Sequence, residues 1–276
     1  MRRVGVCSWS LAPSGATELA ERVRAAGLDA VQLALGPLEL DGQGERSVTG
    51  TARILDGAGI EILSGMFAPV GEDYSTLETI RVTGGLVPDE TWERNREGAQ
   101  RVSRIAQALG LDLVTFHAGF LGELDHGRRE RTLDRLRVVA DTFAERGVRL
   151  ALETGQETAT ELAGALSELA HPNLGINFDP ANLILYGNGD PIEALELLAP
   201  HVLQFHIKDA LPSDVAGAWG REVVAGTGDV DWRRFFALAA SRAPDADFVI
   251  EREAGADRVA DIRAAHELID RHGGAR

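Results

Sequence analysis

A single cysteine, Cys7, is all the sequence offers for disulfide chemistry. That excludes an internal disulfide framework and suits a reducing cytoplasm. Basic residues are scarce: 28 Lys plus Arg face 43 acids among 276 residues, a formal charge of -15. A surface of that sign repels phosphate backbones and anionic lipid, which argues against nucleic-acid and membrane-surface partners. No apolar run approaches the ~20 residues of a membrane-spanning helix. The opening Met1-Arg2-Arg3, followed by VGVCSWSLA, imitates a signal peptide only faintly; it has no convincing cleavage site and reads better as a strand. No Gly-rich fingerprint follows that strand, which counts against a doubly wound dinucleotide-binding sheet. No linker or low-complexity stretch divides the chain. What is present is 44% hydrophobic residues, too many for disorder and enough for one large core. The expectation is a soluble, cytoplasmic, enzyme-sized protein.

The strongest organising signal is a repeated junction of helical pattern, glycine and short apolar run. It occurs as RAAGLDAVQLAL around Gly27, DGAGIEILSGM around Gly59, QALGLDLVTFH around Gly110 and AERGVRLALE around Gly147. Glycine just past a helix end closes the last turn, and the run behind it has strand length and strand composition. Candidate strands fall at roughly 3–9, 29–35, 60–66, 112–117, 148–153, 174–179, 202–207 and 247–251. Helical patterns separate them, such as 91–109 and 132–146, and one at 257–270 follows the last. Eight alternating units predict a single (β/α)8 TIM barrel over residues 1–276. Loops near 68–90 and 210–230 are longer than a plain barrel needs and are expected to act as lids.

Barrel strands alternate between interior and helix layer, with the active face at their C-terminal ends. In 148–153 Leu150 and Leu152 oppose Glu153; in 174–179 Ile176 and Phe178 oppose Asp179. In the seventh strand Leu203, Phe205 and Ile207 oppose Gln204, His206 and Lys208, and in the eighth Phe248 and Ile250 oppose Val249 and Glu251. The apolar set packs on helices, so Glu153, Asp179, His206 and Glu251 converge above the barrel axis. Three carboxylates there require a compensating charge, and a divalent cation supplies it. Each acid alone reads more readily as a helix cap or a surface ion pair than as a ligand, and His206 alone as a hydrogen-bonded interior histidine; the coincidence of all four favours metal. An oxygen-rich set with one imidazole suits Mn2+ or Mg2+ and accommodates Co2+ or Zn2+. His117 and Trp9 end their strands near the same place and, with Asn182, are candidate substrate contacts; His117 reads also as orienting a ligand or as an interior histidine, and Trp9 as barrel-mouth packing. Lys208 either binds a substrate oxygen or phosphate, or pairs with the carboxylates. Glu253 is a reserve ligand, and Asp231 with Trp232 reads as a helix cap and its packing partner.

The runs LALETGQET (150–158), INFDPANLILYGNGDPIEAL (176–195), LQFHIKDA (203–210), GTGDVDW (226–232) and VIEREAG (249–255) resemble the xylose isomerase-like barrel superfamily, in the style of its sugar phosphate isomerase/epimerase proteins. The resemblance covers essentially the whole chain. It implies one divalent metal held by Glu153, Asp179, His206 and Glu251, with Glu153 and Glu251 as acid and base on opposite faces of a sugar or sugar phosphate. It also implies dimers or tetramers. The chain departs from free-ketose epimerases at Asn182, where several have histidine, at Lys208-Asp209-Ala210, which lacks their arginine, and at Ala159, where they carry a glutamate.

Proton removal beside a carbonyl leaves an enediolate, and returning the proton to either carbon gives epimerisation or aldose–ketose isomerisation. The leading expectation is therefore a metal-dependent sugar isomerase or epimerase. A dehydratase of a keto-inositol or 3-keto sugar uses the same enediolate and is the alternative. A metal-dependent endonuclease would need a basic groove and a larger His-rich cluster, both missing. A barrel with a degraded site, serving only to bind, is the non-enzymatic reading.

Overall fold

Four of the short apolar runs become strands behind a helix that a glycine closes, and a loop follows each. The computed structural model describes residues 2–122, 124–215 and 217–272. In chain order the strands are β1 (Val4–Cys7), β2 (Ala30–Ala34), β3 (Glu61–Met66), β4 (Leu113–Phe116), β5 (Arg149–Glu153), β6 (Leu174–Phe178), β7 (Val202–Ile207), β8 (Asp209–Leu211), β9 (Arg221–Val223) and β10 (Asp247–Ile250). Eight of them close into a barrel in the order β1-β10-β7-β6-β5-β4-β3-β2, all neighbours parallel, with β2 returning to β1. The expected strand positions agree with these to within two residues at either end. Gly27, Gly59, Gly110 and Gly147 sit at φ of 80°, 65°, 71° and 71°, the left-handed conformation that ends each preceding helix.

The alternation of side chains splits the barrel wall into two faces. Outward, Leu150, Leu152, Ile176, Phe178, Phe205, Ile207, Phe248 and Ile250 join the main core. The helix Trp232–Arg242 seals one side of it. Phe235 on that helix lies 5.4 Å from Phe205 and 6.2 Å from Phe178, centroid to centroid, and Phe236 lies 5.3 Å from Phe248. Such pairs add about 0.5–1.5 kcal/mol each beyond the area they bury. Inward, Cys7, Ala30, Leu63 and Val249 form a small apolar layer. Buried among the other inward residues are Gln32, Ser64, Thr115, Asn177 and Gln204, polar but uncharged.

One expected orientation is corrected. The register between β6 and β7 shifts between Ile176 and Asn177, so Val202 pairs with Ile176 and Gln204 with Asn177. Val202 therefore joins the outer core, and Leu203 takes the space over Gly175, which a Cβ there would enter. A local irregularity of this kind reverses strand parity for one residue.

The described residues of the two long loops include secondary structure. Residues 68–90 carry a helix, Leu77–Thr83, with Thr76 at its N-cap. Residues 210–230 contain the antiparallel pair β8–β9, which the sequence pattern did not reveal. Asp209 anchors the segment behind it, accepting hydrogen bonds from the amides of Gly226, Gly228 and Val230 and from Trp232 Nε1. Asp231 caps the following helix through the Arg234 amide, as its sequence position implied.

Candidate active site

Barrel closure brings the ends of β5, β6, β7 and β10 around one point. Ligand atoms of Glu153, Asp179, His206 and Glu251 all lie within 4.8 Å of one another, and all four residues are buried. His206 Nδ1 stands 3.4 Å from Glu153 Oε1, 3.5 Å from Glu251 Oε2 and 3.8 Å from Asp179 Oδ2. Neither His206 Nδ1 nor Asp179 Oδ2 has a hydrogen-bond partner, although both are buried. A buried polar atom left unpaired is costly, so two of them facing each other mark a position for a missing group. A cation at their common centre satisfies both, and oxygen donors with one imidazole are a suitable set for it.

Residues behind the cluster fix its orientation. Gln32 Nε2 donates to Thr115 Oγ1 at 2.9 Å, which turns its Oε1 toward His206 Nε2 at 2.8 Å. With that acceptor in place, a metal-bound imidazole would keep its proton on Nε2 and offer Nδ1 to the ion. Glu153 is held at both oxygens, by Asn177 Nδ2 and by Asn182 Nδ2. Asn177 is anchored in turn by Gln204, and Gln204 by Ser64. Asp179 uses its other oxygen to cap the helix Pro180–Tyr186, accepting from the amides of Ala181 and Asn182. Glu251 accepts from Trp9 Nε1 at 2.7 Å and from Lys208 Nζ at 2.8 Å.

The electrostatics agree with this reading. Burial by itself would push the Glu153 carboxyl up, but the imidazoles of His206 and His117 bring it below its ordinary value. Burial likewise opposes ionisation of Glu251, and Lys208 and His206 hold it well below its ordinary value all the same. For Asp179 burial prevails over Lys208 and raises the carboxyl. His206 is pushed well above its usual value despite burial, by Cys7 and by the carboxylates of Glu153, Glu251 and Asp179. The cluster asks for positive charge at its centre.

Above it opens a cavity of about 570 Å³, within the ordinary range of small-molecule sites. Its walls include Trp9, His117, Asn182 and Lys208 together with Glu153 and Glu251. His117 Nε2 is 3.7 Å from Glu153 Oε1. Glu253, the reserve ligand, lies outside the cluster and pairs with Lys208 at 2.8 Å, its side chain 55% exposed. Four further wall residues escaped the sequence reading: Glu72 and Tyr74 from the 68–90 loop, Tyr186 and Trp219. Burial pushes the Glu72 carboxyl up, against the opposing pull of His117, the Gly85 amide and the Tyr74 hydroxyl. For Glu72, Tyr74 and Trp219 the only sequence signal was membership in the two long loops, and Tyr186, at the end of the helix Pro180–Tyr186, gave none. Gln32 was missed as well, since a lone glutamine in a strand announces nothing.

Among the described residues no helix is long and apolar enough to cross a membrane. Known proteins now bear on the chain. The family described as xylose isomerase-like TIM barrel matches residues 20–272. A crystal structure of a xylose isomerase domain protein from Planctomyces limnophilus is 31% identical, with TM-score 0.84 over 97% of this chain and 94% of that one. At 17% and 18% identity the same fold recurs in a xylose isomerase-like TIM barrel protein from Mycobacterium smegmatis in complex with magnesium, TM-score 0.75 over 98% of this chain and 96% of that one, and in an L-ribulose 3-epimerase, TM-score 0.72 over 98% and 94%. Among curated proteins, a 3-dehydroshikimate dehydratase of Bacillus anthracis is 27% identical over 129 residues, 45% of this chain and 46% of that relative. The match thus spans less than half the length of that relative. With nearly its whole length matched, the chain belongs to the xylose isomerase-like TIM barrel family.

Proposed function

We propose that the protein is a divalent-metal-dependent isomerase or epimerase of a sugar or sugar derivative. The observation that carries this reading is the pair of orphaned atoms, His206 Nδ1 and Asp179 Oδ2, inside a buried set of three carboxylates and one imidazole. Glu153, Asp179, His206 and Glu251 would hold the ion, with Mn2+ or Mg2+ the best match to the donors. When bound, the ion supplies Lewis-acid stabilisation of the oxyanion that forms as a carbonyl-adjacent proton leaves.

The chain's own residues do the rest. Glu153 and Glu251 line the cavity from separate strands, so one takes the proton and the other returns it from another direction. Asn177 and Asn182 fix the Glu153 carboxylate, and Trp9 with Lys208 fixes that of Glu251, so neither must reorient during proton transfer. His117 and the 68–90 and 210–230 loops enclose the substrate.

Elemental analysis of wild type, Glu153→Gln, His206→Ala and Glu251→Gln tests the metal, with about one ion per chain expected in the wild type and less in the variants. Solvent-deuterium incorporation at the α-carbon of candidate ketoses and keto-inositols then tests the chemistry. No uptake of any divalent ion by the wild type overturns the reading. Similarity to the dehydratase favours a second reading, loss of water through the same enediolate. Product mass separates the two, because epimerisation and isomerisation leave it unchanged.

A further inference from the structure

Lys208 is the only lysine or arginine among the described residues lining the cavity, and its charge is already committed. An ammonium has three hydrogens to donate. Nζ meets Glu251 Oε2 at 2.8 Å, Glu253 Oε2 at 2.8 Å and Asn182 Oδ1 at 3.3 Å, one acceptor for each. Two further donors of this wall are spent too, Trp9 Nε1 on Glu251 and Asn182 Nδ2 on Glu153, and His117 Nε2 stands 3.7 Å from Glu153 Oε1. The helix that starts beside the site offers no anion cradle either, since Asp179 itself caps its first amides.

Charge follows the same pattern. Glu153, Asp179 and Glu251 would be balanced by a divalent ion and Lys208 together, while Glu253 and Glu72 add acids to the wall with no further Lys or Arg lining it among the described residues. A phosphate or carboxylate group needs unspent donors and surplus positive charge; here the ammonium and the donors beside the carboxylates are committed, and the described wall has no surplus of Lys or Arg charge. What it offers in quantity is carboxylate oxygen, which accepts from hydroxyls, and aromatic surface at Trp9, Tyr74, Tyr186 and Trp219, which packs on C–H faces.

We propose that the site takes an uncharged, polyhydroxylated carbonyl compound and rejects the corresponding phosphate ester or carboxylate, with Lys208 locked between Glu251 and Glu253 rather than serving as an anion receptor. The inference rests on the isomerase or epimerase reading of the site and specifies its substrate class. Glu253 is its specificity-determining residue: Glu253→Gln removes one negative charge and loosens one of the three bonds on Nζ.

The test compares the Mn2+-loaded protein on free fructose, psicose, tagatose, ribulose, xylulose and keto-inositols with its action on the sugars' phosphate esters, reading deuterium uptake from D2O by NMR. Exchange on a free compound is expected, with kcat/KM at least about tenfold lower on its ester, and a narrower ratio in Glu253→Gln. An ester handled as well as its parent overturns the proposal, and so does silence of every free compound in a protein that holds Mn2+. A second arm titrates inorganic phosphate into metal-free protein and reads Tm. No rise, or a rise that Lys208→Met leaves intact, upholds the proposal; a rise that Lys208→Met abolishes overturns it. Absence of metal uptake sinks the parent reading instead, and the phosphate titration still decides the charge preference.

Discussion

The two faces of the barrel wall are stabilised by different physics. Outside, Phe178, Phe205 and Phe248 meet Phe235 and Phe236 in contacts that are numerous, apolar and individually replaceable. Inside, Gln32, Asn177, Gln204, Ser64 and Thr115 form chains in which each group has one or two assigned partners. Apolar packing degrades by degrees as volume is lost, whereas a buried hydrogen-bond chain fails at the first missing acceptor. Damage to the outer face should therefore appear as lost stability with the chemistry intact. Damage to the inner face should appear as altered chemistry in a folded protein.

The sharpest separation is expected at the acids themselves. Glu153→Gln and Glu251→Gln should each lower α-proton exchange by about 10²–10⁴-fold in a protein that remains folded in the absence of denaturant. Equal losses of activity and stability would erase the distinction. The reverse case is Phe235→Ala, which should cost about 3–5 kcal/mol in denaturant unfolding yet keep the metal stoichiometry under native conditions. Loss of metal from folded Phe235→Ala would show that the faces are coupled.

A smaller effect tests the inner chain alone. Gln32→Met removes the acceptor facing His206 Nε2 and should weaken metal binding about 10–100-fold in chelator competition. Gln32→Glu keeps an acceptor there and should restore most of the affinity. Equal metal affinity in Gln32→Met and wild type would remove Gln32 from the argument.

The smallest effect concerns two buried glutamates four residues apart in the chain. Glu153 has imidazoles beside it, whereas Glu157 has the Leu121 amide at 3.3 Å and no cationic side chain among the causes acting on it. Burial pushes Glu157 up from 4.5 to about 8. Between those values the folded state keeps a proton that the unfolded chain has released. This contribution to stability is thus complete below pH 4.5 and is lost as pH rises through about 8, at up to about 1.4 kcal/mol per pH unit. Glu157→Gln should flatten that slope relative to wild type and be the more stable protein at pH 8. Parallel pH profiles for the two would refute the assignment.

Much of the fold was legible because its signals are local. Glycine at Gly27, Gly59, Gly110 and Gly147 marks a helix end by backbone sterics alone, and strand parity at β5, β6 and β10 follows from alternation. Parity failed at Leu203 because a register shift depends on the neighbouring strand. Trp9, His117, Asn182 and Lys208 were legible as neighbours of the cavity but not in their partners; Lys208 could be read equally as an anion receptor or as part of an ion pair. Glu72, Tyr74 and Trp219 were not legible, because a loop residue reaches the cavity only if the loop folds back over it, and Tyr186 was not, because the packing of its helix decides what it meets.

By itself, the sequence determined eight strand positions, the inward parity of Glu153, Asp179, His206 and Glu251, and the acidic character of the whole. Those features depend on residues within a few positions of one another and on a charge count. Only the tertiary structure decided that Nδ1 of His206 faces the carboxylates, that Gln32 holds it there, that three acceptors consume Lys208, and which loop residues wall the cavity. Each of those depends on atoms separated by tens to hundreds of residues, and closing the barrel is what brings them within hydrogen-bond distance.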